Sequence, residues 1–128
     1  FHHTADDRMH RMLNAIEPGS YIQPHRHKNP SKREVFFALR GKIAVVEFND
    51  AGKIIDHIIL NANKEKYGAE VNPGSWHMII ALESGSVAYE IKDGPWDPKT
   101  DKEFANWAPA EGDPAAEEYL NRIIKSLQ

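Results

Sequence analysis

The chain has 128 residues, 41% of them hydrophobic and 27% charged, with a formal net charge of −3 and no cysteine. These totals fit one globular domain with a single core. They exclude a disulfide scaffold or a thiolate metal site, argue against a dedicated nucleic-acid binder, which carries a basic excess, and leave no apolar run near the roughly 18–20 residues of a membrane span.

In chain order, residues 6–11 read as a short helical turn and 12–17 as a first strand. Pro18-Gly19-Ser20 is a turn into a strand over 21–27. An apolar and aromatic run over 34–40 stops at Gly41, and a strand over 42–48 follows at once. Asn49-Asp50-Ala51-Gly52 reverses the chain, because Asn, Asp and Gly tolerate tight-turn angles, into a strand over 54–60. Residues 67–71 form a weaker strand. Asn72-Pro73-Gly74 is a turn before a strong strand over 76–82, and Glu83-Ser84-Gly85-Ser86 turns into a last strand over 87–92. Many short strands with regular turn signals predict an all-β sandwich or barrel filling one domain, 1–128. Residues 93–112 show no period and read as a functional or covering segment. Asp113 is placed to cap a helix over 114–127, with Pro114 at its start and an apolar stripe of Leu120, Ile123, Ile124 and Leu127.

His25 and His27 lie two apart, so a strand presents both imidazoles on one face. Parity adds Tyr21 and Gln23 to that face. Glu34, Phe36, Ala38 and Arg40 share a face of the next strand, barring a bulge, and His77 shares one with Ile79 and Ala81. A His-x-His pair alone is a weak signal, since exposed strands often carry histidines. Three imidazoles and a carboxylate suit one divalent transition metal, zinc, iron, manganese, nickel or copper, and leave positions open for water or substrate.

The glycine pattern sharpens this. Gly19 stands five residues before His25-Arg26-His27, Glu34 stands six before Gly41, and Pro73-Gly74-Ser75-Trp76-His77 follows. This resembles the two motifs of the cupins, all-β barrels or jelly rolls of the RmlC-like type, and implies His25, His27, Glu34 and His77 as metal ligands. The pattern departs from the family in three places. Six residues, Lys28 to Arg33, separate His27 from Glu34, a longer loop that could carry Glu34 off the metal. Pro73 directly precedes Gly74, and Ala81 stands where the family commonly has Asn. A closer resemblance, to the bacterial WbuC family of cupin-fold metalloproteins, is carried by Phe1-His2, the segment from Arg11 to Gly19, Pro24-His25-Arg26-His27, Leu39-Arg40-Gly41, Gly94-Pro95-Trp96-Asp97-Pro98, Asp101-Lys102-Glu103-Phe104 and Trp107-Ala108-Pro109. That family is associated with surface-polysaccharide gene clusters. The resemblance implies residues upstream of Phe1 and native His2 and His3. No signal peptide is visible, and the expected location is the cytoplasm.

Around the expected cavity, Lys28, Lys32 and Arg33 read as solvated charge, and His10 and His57 as surface histidines. Parity aims Arg40 inward, where a guanidinium needs a carboxylate partner or an anionic ligand. Arg40, Tyr21, Gln23 and Arg11 are therefore the candidate contacts for a small anionic or sugar-like molecule. Val35, Phe37 and Leu39 would point outward, as would Met78, Ile80 and Leu82. Outward apolar rows need cover, from the terminal helix and from a second subunit in a homodimer. Trp96 and Trp107 would cap a barrel mouth or staple the tail. Two functions fit these residues: a metal-dependent enzyme using Lewis-acid chemistry, or a non-catalytic module in which metal and arginines hold a small ligand.

Overall fold

The computed structural model describes residues 1–128 and contains nine antiparallel strands, a single 3-10 turn at Ala62–Lys64 and one α-helix: β1 (Met9–Ile16), β2 (His25–Arg26), β3 (Glu34–Arg40), β4 (Lys42–Phe48), β5 (Ile54–Asn61), β6 (Gly68–Val71), β7 (Trp76–Ala81), β8 (Ser86–Asp93), β9 (Glu103–Phe104) and α1 (Ala116–Ser126). The strands form two sheets in the orders β1-β8-β3-β6 and β5-β4-β7-β2-β9. Each strand's alternation divides its side chains between two environments. Phe36, Ala38, Ile43, Val45, Leu60, Val71, Ile79 and Ala88 fill the space between the sheets. Ala44, Val46, Phe48, Trp76, Met78 and Ile80 project from the opposite face of the five-stranded sheet. There they meet Tyr119, Leu120, Ile123 and Leu127, so α1 covers the row that includes Met78 and Ile80. All six residues of β7 are buried as a result.

Two glycines shape the chain around the site. Gly41, at φ +73°, turns β3 directly into β4 and lies so close to Ser86 that a β-carbon would collide with it. Gly74, at φ +79°, makes the turn ahead of β7 that sets the position of His77.

Local reading and structure differ in five places, the first being β9, a short strand paired with β2 inside the stretch over 93–112 that reads as irregular. The chain over residues 9–11 is strand, not helical turn, because β1 pairs with β8 along its whole length, from Met9↔Asp93 to Ile16↔Ser86; a full ladder outweighs local propensity. The strand expected over 21–27 shrinks to His25–Arg26, since Pro24 has no N–H to give a ladder. The pairing of β3 with β8 shifts register between Ala38 and Arg40. That irregularity releases Arg40 from inward parity, and Arg40 is exposed. Finally, α1 begins at Ala116 with no side-chain cap, while Asp113 accepts a hydrogen bond from the Ala115 N–H at 2.8 Å in the turn before it.

Candidate metal centre

His25, His27, Glu34 and His77 are all buried, and one ligand atom from each lies within 4.8 Å of the others. The set spans both sheets: the histidines come from β2, the residue just after it, and β7, while Glu34 comes from β3. His25 stands directly opposite His77 in the β2–β7 register, with ring centroids 4.4 Å apart. His27 continues that pairing, as its carbonyl accepts from the Gly74 N–H at 3.0 Å. The six-residue loop between His27 and Glu34 folds back on itself through a Lys28↔Ser31 bridge. Its length is thereby absorbed, and Glu34 joins the cluster.

Ring orientation is fixed from outside. The Nδ1 of His25 faces the Gln23 carbonyl at 2.9 Å, that of His77 faces the Ser75 carbonyl at 3.0 Å, and that of His27 faces the Asp101 carbonyl. A carbonyl can only accept, so each Nδ1 carries the hydrogen and each neutral ring keeps its lone pair on Nε2. Glu34 Oε1 lies 3.2 Å from His27 Nε2, and Oε2 lies 2.7 Å from His77 Nε2. None of His27 Nε2, Glu34 Oε2 and His77 Nε2 completes a hydrogen bond, although all three are buried. Buried polar atoms without partners are rare and costly. Here they converge on one point, and together with the donor types they fit a divalent cation held by nitrogen and oxygen. Outer hydrogen bonds of this kind accompany metal-ligating histidines generally.

Without a metal, the same contacts set the electrostatics of the cluster. Burial, with the neighbouring His77 and Lys102 charges, holds His25 well below the ordinary histidine range. Burial opposes charge on Glu34, but the imidazoles of His27 and His77 outweigh it and keep the carboxylate ionised well below its usual pKa. Burial likewise works against His77, and the Glu34 carboxylate more than offsets it, raising His77.

A cavity of ≈ 580 Å³ opens above the cluster. His25, Glu34 and His77 form its floor; Met12, Asn14, Glu90, Lys92, Trp96 and Lys102 are among its walls. Glu90, pushed up to about 7 by burial and the Glu34 charge, is held by Asn14. Lys92 pairs with Asp101 at 3.1 Å. Glu90, Lys92 and Asp101 are absent from the expected site, although the parity of residues 87–92, if carried across to a partner strand, would have found the first two.

Several expected contacts lie elsewhere. The Tyr21 hydroxyl donates to the Pro109 carbonyl at 2.7 Å, and its ring meets Tyr119 edge-on. The Gln23 amide donates to the Ala105 carbonyl at 3.0 Å. Both fasten the tail outside the cavity, because the chain over 21–24 is not strand and strand parity does not govern it. Arg40 packs over Gly85 with its charge near Glu17. Arg11 is not among the residues that line the cavity, and it donates to the Phe1 carbonyl at 3.1 Å. Lys32 and His10, expected at the surface, are buried: Lys32 bonds Asp101 at 3.0 Å, and His10 stacks on His2 with centroids 4.0 Å apart. The two tail tryptophans divide their roles. Trp107 staples the tail against Phe48 and Trp76, and Trp96 stands at the cavity wall.

Known proteins place this architecture. The profile of a domain of unknown function, DUF6016, matches residues 1–60. No curated protein matches the chain in sequence. Among solved structures, the capsular polysaccharide assembling protein CapF of Staphylococcus aureus superposes with a TM-score of 0.64 at 22% identity, over 77% of this chain and 29% of CapF. A dTDP sugar isomerase of Desulfovibrio desulfuricans gives 0.62 at 16% identity, over 85% and 71%. The rmlC epimerase of Mycobacterium tuberculosis gives 0.61 at 16% identity, over 80% and 52%. This chain therefore spans less than a third of CapF and about half of the epimerase. The fold is that of the RmlC-like cupins, an antiparallel two-sheet barrel with one C-terminal helix, and it carries a buried His25-His27-Glu34-His77 cluster able to hold a metal ion.

Proposed function

We propose that this protein is a metal-dependent cupin acting on a small anionic or sugar-derived substrate in surface-polysaccharide biosynthesis. The carrying observation is the convergence of three outward-anchored imidazoles and one carboxylate at the floor of an accessible cavity. Zinc, iron, manganese or nickel suits that donor set, and such an ion supplies Lewis-acid polarisation of a ligand oxygen. The pathway assignment rests on the resemblance to the WbuC family and on the names of similar solved proteins, a capsular polysaccharide assembling protein and a dTDP sugar isomerase.

The anion contact in this reading is Lys102. It lines the cavity and its charge acts on His25, yet it forms none of the ion pairs in the protein. An anionic group above the cluster would meet it directly. Trp96, 42% exposed, offers an apolar surface beside it.

A homodimer belongs to the same reading. Leu13, Tyr89 and Phe37 are cross-strand neighbours on the outer face of the four-stranded sheet, and Leu13, Phe37 and Leu39 are exposed. The helix lies on the other sheet. Light scattering should give about twice the 14.5 kDa chain mass; a single-chain mass at all concentrations removes the dimer.

Elemental analysis of the purified protein, beside a variant lacking His25 and His27, tests the central proposal. About one metal per chain, lost in the variant, supports it. No metal in either protein after reconstitution overturns it and turns attention to a metal-free histidine acid–base site. With the metal present, turnover of a candidate sugar substrate, rather than its retention unchanged, separates an enzyme from a binding module.

A further inference from the structure

The segment between β8 and β9, residues 94–102, crosses the open side of the cluster, and one residue in it touches both ends of the loop that separates two ligands. The Asp101 carbonyl holds His27 Nδ1, and the Asp101 carboxylate holds Lys32 Nζ at 3.0 Å. Lys32 is two residues before Glu34. The second carboxylate oxygen holds Lys92 at 3.1 Å, and Lys92 is the register partner of Glu34 on β8. All three side chains are buried, with 3%, 4% and 6% of Lys32, Asp101 and Lys92 exposed. Lys32 also donates to the Pro95 carbonyl, so the same ammonium grips the crossing segment at a second point.

Burying two ammonium groups and a carboxylate is costly in itself, and the apolar cluster between the sheets includes none of them. What the knot does is geometric. The ends of the His27–Glu34 loop are held in different sheets, His27 by the Gly74 N–H at 3.0 Å and Arg33 by the Asp93 N–H at 3.1 Å, so their mutual spacing depends on what bridges them. Asp101 ties both ends to one residue. The far end of the segment is secured separately, where Arg26 grips Glu103 through two bonds of 2.9 and 2.8 Å.

We propose that Asp101, clamped by Lys32 and Lys92, is a positioning residue for the metal centre: it sets the spacing between His27 and Glu34 and thereby the affinity and geometry of the bound ion. This inference rests on the metal-binding reading above.

The decisive variant is Lys32→Met. It removes one of two cations and leaves Asp101 paired with Lys92. Asp101→Asn is its complement, keeping the backbone carbonyl and the side-chain shape. Each is compared with wild type by chelator competition for zinc, by the visible spectrum of the cobalt-substituted protein, and by unfolding of the metal-free protein. The expected result is a ~10–100-fold loss of zinc affinity in both variants, as for other outer partners of metal ligands, together with a changed cobalt spectrum. Wild-type affinity and an unchanged spectrum in Lys32→Met, whatever happens to metal-free stability, overturn the proposal and leave the knot a purely structural clasp. Should Asp101→Asn fail to fold, Lys32→Met alone decides. Should wild type bind neither zinc nor cobalt, it is the metal reading that fails.

Discussion

Glu34 Oε2 lies 2.7 Å from His77 Nε2 although the two residues belong to different sheets. The carboxylate reaches across the barrel to a ring whose other nitrogen is already committed to the Ser75 carbonyl. The contact therefore joins the sheets at the point where the three imidazoles converge. Removing the carboxylate should leave the histidines in place and weaken the ion's hold.

Glu34→Gln should lower metal affinity by more than ~100-fold, since loss of an outer partner alone costs ~10–100-fold. Chelator competition measures this. The thermal shift produced by added metal should shrink in parallel, because a ligand stabilises only the state that binds it. An unchanged affinity would place Glu34 outside the coordination sphere.

Arg40→Ala should leave both metal content and anion binding at wild-type levels, because the β3 irregularity turns Arg40 out to solvent above Gly85. Lys102→Ala should weaken anion binding while leaving metal content unchanged. Titration with a simple carboxylate or phosphate, followed calorimetrically, distinguishes the two. A larger loss in Arg40→Ala would restore it as the anion contact.

Glu17 organises the turn before β8. It accepts from the Ser84 hydroxyl at 2.7 Å and the Gly85 N–H at 2.8 Å. These bonds, the hydroxyl first, hold its pKa below the ordinary carboxylate value, with a smaller contribution from Arg40. A pKa lowered by folding means that the ionised form stabilises the fold. The contribution is therefore present above the unfolded value of about 4.3 and is lost as pH falls through the lower folded value. Denaturation of wild type and Glu17→Gln should show wild type more stable at pH 7 and the gap narrowing steadily below about pH 4. A gap independent of pH would assign the difference to shape rather than charge.

Leu120→Ala should cost about 2–5 kcal/mol, the usual range for emptying a buried leucine site. Leu120 is 1% exposed in the cluster that joins α1 to Met78 and Ile80. Urea unfolding gives the value. A loss below about 1 kcal/mol, typical of surface substitutions, would mean that the helix is not an integral cover of the sheet.

Trp96 is the exposed member of the three tryptophans, while Trp76 and Trp107 pack together against the five-stranded sheet. A ligand entering the cavity should change tryptophan emission in wild type and not in Trp96→Phe. Equal changes in both would place the ligand elsewhere.

Much of the site was legible because its signals are local. Alternation put His25 and His27 on one face, the turn at Gly74 positioned His77, and the stripe from Leu120 to Leu127 announced a helix with one buried side. The errors came where parity was carried past a break. Pro24 ends the ladder before Tyr21 and Gln23, and the shift between Ala38 and Arg40 reverses an exposure that alternation had assigned. A single charged residue carries no local sign of burial, so Lys32 reads as solvated, while its partner Asp101 lies 69 positions away.

The sequence by itself determined the succession of β1 to β8 along the chain, the terminal helix and the four candidate ligands, because periodicity, turn residues and motif spacing are properties of neighbouring positions. Tertiary structure decided which ladder outlasts local propensity, whether the long loop returns Glu34 to the histidines, and which cations stay buried. Those outcomes depend on partners remote in sequence, β8 for β1 and Asp101 for His27, Lys32 and Lys92. Hydrogen bonds and ion pairs that form only when the chain closes on itself leave no periodic trace in the residues that make them.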